Sequence, residues 1–133
     1  MEKVLISPDG RIPSPKILLV GLGESAQLTY DKLYTAGCTI LETLSEIECT
    51  DFAYDIPGSG RCELEVPKMA VAMVSGIFES GVVKRGDAVS DMVVLSNSTF
   101  FDEVVLGMHE FKVSARGRVT VDIVADAEPG GTV

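Results

Sequence analysis

The apolar and polar positions of this chain change between strand-like and helix-like spacing, most clearly over residues 16–47. Residues 17–20 (Ile-Leu-Leu-Val) form a short continuous apolar run, which is typical of a strand covered on both faces. Gly21 and Gly23 follow this run and favour a tight turn. Thr29 then offers a hydroxyl that can cap the first turn of a helix. The spacing predicts that this helix buries Leu33, Gly37, Ile40, Leu44 and Ile47.

The rest of the chain repeats this alternation of strands and helices. The first strand is expected to return through Asp9-Gly10 and lie beside residues 17–20. Pro67 suits the first turn of a second helix. Cap candidates for a third helix are Asn97, Ser98 and Thr99. The other strands are predicted over residues 4–6, 50–56, 92–95 and 118–124, and the other helices over 67–80 and 101–111. This order predicts an α/β fold of three layers, with a mixed, mostly parallel sheet flanked by helices.

The chain of 133 residues, 46% of them hydrophobic, is long enough for one domain with a substantial core. We predict this domain over residues 1–126 and a disordered tail over 127–133. The mean hydropathy of +0.28 is high for a small monomer, and residues 67–80 are apolar on nearly all sides. Both features indicate exposed apolar surface that association with another chain would bury, so we expect a homodimer or another protein partner.

The net charge of −9 limits the classes of partner. Such a field repels nucleic acid and anionic membranes, so neither is expected to bind. No apolar run reaches the roughly 20 residues that span a membrane, and the amino terminus lacks a secretory signal pattern. We therefore expect a cytoplasmic protein. In that compartment Cys38, Cys49 and Cys62 are predicted to be free thiols. A zinc site built from them and His109 is the less favoured alternative, because no pair has C-x-x-C spacing.

The glycine turn also matches the loose G-x-G-x-x-G/A pattern of dinucleotide-binding proteins. There a pyrophosphate rests on helix NH groups, and glycines let the backbone approach it. Glu24 places a negative charge where the pyrophosphate would lie, and Thr29 indicates a helix that starts too late. A turn that only ends a strand is therefore the favoured interpretation. The candidate ligand loop comprises Gly21, Gly23, Glu24, Ser25, Asp55 and Gly58.

Asp102 and Glu103 are a candidate pair of catalytic carboxylates. They also lie in the first turn of the predicted third helix, where acids favour the positive end of the helix dipole. We favour this structural interpretation, because no nucleophile elbow, P-loop or H-E-x-x-H motif accompanies them. The sequence thus predicts no catalytic residue, no metal and no cofactor.

Residues 4–37 resemble the amino-terminal domain of the leucyl aminopeptidase family. In that domain a strand and a turn lead to a strand ending in Val-Gly-Leu-Gly, followed by a polar pair and a helix start at Leu-Thr. The matching residues here are 4–6, Asp9-Gly10, 20–23 and Leu28-Thr29. The order of elements continues to match as far as residue 111.

The resemblance implies a macro-domain-like α/β fold without peptidase activity. In that family catalysis belongs to a separate carboxy-terminal domain that binds two metal ions. Its signature, Asn-Thr-Asp-Ala-Glu-Gly-Arg, does not occur in this chain. The resemblance therefore implies a non-catalytic, stand-alone relative that acts in assembly or regulatory binding. The alternative is a small macro-like domain that binds a nucleotide or ADP-ribose.

The strand predicted over residues 118–124 has no counterpart at that place in the family. The family's sheet includes a strand that would lie before Val4, and its loss would expose an unpaired sheet edge. We expect residues 118–124 to fill this vacancy. Val119, Val121 and Ile123 would then face the core.

Removal of residues 118–133 is therefore expected to lower the melting temperature sharply or to give insoluble protein. Each of the three buried β-branched side chains contributes roughly 1.5–3 kcal/mol to the free energy of unfolding, before the loss of conformational entropy is subtracted. Removal of residues 127–133 alone is the matched control and should leave the melting temperature unchanged. Thermal unfolding compares the chains, and an unchanged melting temperature in the longer truncation would contradict the prediction.

Overall fold

The structure is a computed structural model that describes residues 1–8, 10, 16–49, 51–57, 62–85, 91–96 and 98–115, with side chains described except at 81–85 and 91. Its elements are β1 (Lys3–Ile6), β2 (Ile17–Val20), α1 (Tyr30–Glu46), β3 (Asp51–Asp55), α2 (Val66–Arg85), β4 (Asp91–Leu95) and α3 (Phe101–Ser114). A short 3-10 helix, Ser25–Gln27, lies between β2 and α1. The predicted mixture of strands and helices is confirmed. The strand predicted over residues 118–124, the end of the domain and the tail lie outside the described residues.

The strands form two pairs. β1 runs antiparallel to β2, with Val4 opposite Leu19, as expected from the return of the chain through the turn at Gly10. β3 and β4 run parallel, with Ala53 opposite Val93. Among the described residues these pairs are two separate two-stranded sheets, whereas the sequence predicted one mixed sheet.

Helix α1 begins where the sequence predicted. The Thr29 hydroxyl accepts a hydrogen bond from the Lys32 backbone NH at 3.1 Å, which satisfies a free donor of the first turn. The helix buries all the predicted positions except Ile47. Ile47 is only half-buried because the helix ends at Glu46 and Ile47 is its C-cap.

Helix α2 lies between α1 and α3, in close contact with both. Gly37 of α1 faces Gly76 of α2, where a Cβ on Gly37 would lie 2.9 Å from the Ile77 backbone nitrogen and a Cβ on Gly76 would overlap the Tyr34 carbonyl oxygen. On the other side Gly107 of α3 is pressed against the backbone of α2 at its first turn. The nearly all-round apolar character of α2 is explained by these two neighbours. It is not by itself a sign of a partner.

Most of the core is formed by these helices and the inner faces of the strands. Met69 and Met73 are buried and Met108 packs against the same cluster, where flexible methionine side chains can fill irregular gaps. The largest fully buried side chains are Leu33, Leu41, Met69, Ile77 and Val74. A second, smaller cluster joins Phe111 of α3 to Val74 and Phe78 of α2.

Two local predictions are wrong. Residues 17–20 were expected to be covered on both faces, but Leu19 is 52% exposed, and Val93 in the apolar run of residues 92–95 is likewise 53% exposed. Each pair packs only one face on the helices, so continuous apolar runs here do not mean two covered faces. The caps predicted at Ser98 and Thr99 are also absent, because α3 begins at Phe101 with Phe100 at the N-cap position and no side-chain cap. Asn97 lies outside the described residues.

Within the described ranges, none of the helices combines the length and the apolar character that crossing a membrane requires.

The substitution Gly76→Ala is expected to destabilise the chain by about 2 kcal/mol. The added methyl group must displace the backbone of α1, which outweighs the roughly 1 kcal/mol gained in helix propensity. Thr35→Ala, at an exposed position on α1, is the control and should change stability by less than about 0.5 kcal/mol. Urea unfolding measures both variants. A Gly76→Ala chain as stable as the parent would mean that the helices are not held this closely.

Candidate functional site

The glycine loop after β2 is exposed and serves the fold. The Gly21 backbone NH donates a hydrogen bond to the Glu2 carbonyl oxygen at 2.7 Å, which extends the pairing of β2 with the amino terminus. Gly23 has a φ of +82°, a conformation that glycine adopts without strain. Glu24 and Ser25 are exposed at the start of the 3-10 helix. The loop is thus a connection from β2 to the 3-10 helix in which one NH group is already bonded.

The start of α1 is not positioned as a phosphate cradle directly after these glycines. The 3-10 helix Ser25–Gln27 separates Gly23 from Thr29, where the α-helix is capped. The Thr29 hydroxyl already accepts a hydrogen bond from one backbone NH of the first turn, that of Lys32. The first turn of α1 therefore has a polar partner from its own chain.

The remaining members of the candidate ligand loop lie elsewhere. Asp55 ends β3 and is exposed on a sheet that, in the described part of the chain, is separate from the one containing β2. Gly58 lies outside the described residues. The structure brings Gly21, Gly23, Glu24 and Ser25 together in one loop, and it does not join Asp55 to them in one sheet.

The other candidate groups are dispersed on the surface. Asp102 and Glu103 are exposed in the first turn of α3, as the helix-dipole interpretation predicted. His109 is exposed on the same helix. The three cysteines are free thiols, as predicted. Across the described ranges no group of three or more His, Cys, Asp or Glu side chains is placed to hold a metal ion.

A polar cluster between α1 and α2 was not foreseen from the sequence. The Tyr34 hydroxyl donates a hydrogen bond to Glu79 Oε1 at 2.5 Å, and the Cys38 thiol lies 3.5 Å from the Gly76 carbonyl oxygen. The hydrogen bond to Glu79, with a smaller contribution from burial, raises the pKa of Tyr34 to about 12. Tyr34 and Glu79 are 45 residues apart, and no spacing rule for one helix pairs them.

The outer faces of both strand pairs are more open than expected. The antiparallel register places Val4, Ile6, Ile17 and Leu19 on one side, here called the β1–β2 face, while Lys3 and Leu18 lie on the side of α1. Val4, Ile6 and Leu19 are 56%, 38% and 52% exposed. On the second pair Ala53, Val93 and Leu95 point outward together with Asp51 and Asp55, and this set is called the β3–β4 face.

The Lys3 side chain fixes the β1–β2 pair on α1. Its ammonium group donates a hydrogen bond to the Thr43 hydroxyl at 2.9 Å and lies 3.6 Å from Glu46 Oε1. The opposite, outer face has no charged side chain among its four residues. The β1–β2 face is therefore apolar throughout.

Comparison with known proteins identifies a family model and a relative that match this chain. The family model described as "Cytosol aminopeptidase family, N-terminal domain" matches residues 2–82. A "Probable cytosol aminopeptidase" of Geobacter sp. (strain M21) is 27% identical over 78 residues, which are 59% of this chain and 16% of that protein. No solved structure matches the chain.

The chain belongs to the cytosol aminopeptidase family through its amino-terminal domain, as the sequence resemblance indicated. The match covers the whole β1–β2 pair, α1, β3 and most of α2, and it ends before β4. The chain spans about a sixth of the length of the curated relative it matches.

The Tyr34–Glu79 hydrogen bond gives the stability of the chain a pH dependence. The folded chain holds the phenol proton more tightly than the unfolded chain. The contribution of this hydrogen bond to the free energy of unfolding is therefore complete below about pH 10 and is lost as the pH rises through about 12. We expect Tyr34→Phe to flatten the fall in unfolding free energy over this range. Urea unfolding at several pH values measures the slope.

Glu79→Gln is the second arm of this experiment. It removes the carboxylate, so it should lower the pKa of Tyr34 towards 10, its ordinary value. In a chain that already carries Glu79→Gln, the further substitution Tyr34→Phe should then change the slope of the unfolding free energy against pH much less than Tyr34→Phe does in the parent chain. Equal effects in both backgrounds would show that the two side chains do not interact.

Proposed function

We propose that this chain acts as a non-catalytic domain of the cytosol aminopeptidase family that works in the cytoplasm by assembly, first of all with a second copy of itself. The family match supports the non-catalytic part. It falls on the amino-terminal domain, whereas the resemblance implies that catalysis belongs to a separate carboxy-terminal domain. The catalytic signature of that second domain does not occur in the chain.

The observation that carries the proposal is the β1–β2 face. Its four side chains are all aliphatic, they lie on one side of a two-stranded ribbon, and three of them are more than a third exposed. Small monomeric domains rarely leave such a contiguous apolar patch in water, so a patch of this kind marks an interaction surface.

A second copy is the occupant that best fits this face. Two chains of net charge −9 repel each other, and a surface free of acidic groups is where this repulsion opposes their contact least. The β1–β2 face meets this condition, since none of its members is charged. Two copies related by a two-fold axis could bury the same patch on both sides, which is the commonest form of homodimer. The high mean hydropathy agrees with this arrangement.

Light scattering at high protein concentration tests the proposal. The parent chain is expected to give about twice its mass of 14.2 kDa. Leu19→Lys places a charge in the middle of the β1–β2 face and should return the mass to that of one chain. Leu106→Lys is the matched control, because Leu106 on α3 is 53% exposed against 52% for Leu19, and it should leave the dimer intact.

Two results would contradict the proposal. A mass of one chain for the parent at high concentration would exclude self-association through any face. Release of leucine from a leucyl substrate in the presence of divalent metal ions would exclude the non-catalytic role.

A further inference from the structure

The β3–β4 face has a composition unlike that of the β1–β2 face. Asp51, Ala53 and Asp55 form its first row, on β3, and all three are exposed. The second row, on β4, begins at Asp91, which pairs with Asp51, and its described side chains are Val93 and Leu95, with exposures of 53% and 52%. The face therefore presents an acidic row directly beside an exposed apolar pair.

The geometry of the parallel pair fixes the shape of this surface. Ala53 lies opposite Val93, and Asp55 lies opposite Leu95. The two rows are about 4.8 Å apart, and the Asp51 and Asp55 Cα atoms are about 13 Å apart along the strand. That length corresponds to about two and a half turns of an α-helix.

The two aspartates have no basic neighbour in the described part of the chain. Ion pairs in that part of the chain include Lys3 with Glu46 and Lys68 with Glu65. Neither Asp51 nor Asp55 forms one with a described residue. Both carboxylates are exposed, so a cation brought by another molecule can reach them.

We propose that the β3–β4 face is a docking surface for a basic amphipathic helix of another protein. The apolar stripe of the helix lies on Val93 and Leu95, and its lysines or arginines reach Asp51 and Asp55. Apolar contact supplies most of the affinity, and the charges fix orientation and exclude acidic partners. The inference does not require the self-association proposed above, because it uses the other strand pair.

Charge separates this occupant from two alternatives. A second copy placed face to face would bring the acidic rows of two chains with net charge −9 close together. The chain's own residues 118–133 carry Asp122, Asp126 and Glu128 against the single basic residue Arg118, so they are acidic too. A partner with an apolar stripe and excess positive charge fits both rows of the β3–β4 face better than either alternative.

The test uses a synthetic amphipathic peptide of leucine and lysine, about 18 residues long, with one tryptophan on its apolar side. The chain contains no tryptophan, so the peptide's fluorescence reports binding without background. We expect saturable binding. A peptide with the same leucine positions and glutamate in place of lysine should not bind.

Matched variants locate the site. Asp51→Asn with Asp55→Asn is expected to weaken binding about tenfold, and Leu95→Ser by a similar factor. Glu103→Gln with Glu110→Gln removes the same charge from α3, and Leu106→Ser removes an equally exposed leucine. Both controls should change the dissociation constant by less than about twofold.

Equal weakening by the two double variants would mean attraction to net charge alone and would overturn the proposal. Absence of saturable binding would overturn it as well. If the face variants instead lowered the mass measured by light scattering, the occupant would be a second copy. Binding of the peptide to Leu19→Lys with unchanged affinity would support the separation of the two faces, whatever the result for the dimer.

Discussion

The close approach of α1 and α2 at Gly37 and Gly76 is the contact on which the rest of this structure depends. Each glycine lies against the backbone of the opposite helix, so there is no room for a side chain at either position. The approach positions α2 between two helices and lets its apolar side chains be buried on both sides. It also brings Tyr34 within hydrogen-bonding distance of Glu79. A methyl group at either glycine would therefore affect the core and the polar contact together.

This helix packing determines what the strands can cover. The described helices are in contact with the inner side of the strand pairs, where Phe52, Tyr54, Met92 and Val94 join the core. The outer sides remain exposed in the same structure, at Leu19 as well as at Leu95. An α/β domain normally covers both faces of its sheet. The surface available for binding is thus a direct consequence of helices on one side.

Much of the fold could be predicted from the sequence, because its signals are local. The Thr29 cap, the apolar spacing of α1 and the alternation of Phe52 and Tyr54 with acids each depend on neighbours within a few residues. The exposure of Val93 could not be predicted, since an apolar run without alternation is equally consistent with one covered face or two. The Tyr34–Glu79 contact depends on how two helices are placed, and the pattern within either helix does not contain this information. The alternation in residues 51–55 is enough to predict that Asp51, Ala53 and Asp55 share one side of β3. The apolar side chains beside them are known only from the pairing of β3 with β4.

The two outer faces differ in the interaction that dominates each, and this difference would keep the two proposed occupants apart. The β1–β2 face offers only aliphatic surface, so added salt leaves the apolar attraction in place and screens the repulsion between two chains of net charge −9. Binding at the β3–β4 face includes two exposed carboxylates, whose attraction to a basic helix is screened over about 8–10 Å at ordinary ionic strength. Salt should therefore favour the proposed self-association and weaken the proposed binding of a basic helix. Because the faces belong to separate strand pairs in the described chain, one can be occupied without competing for the side chains of the other.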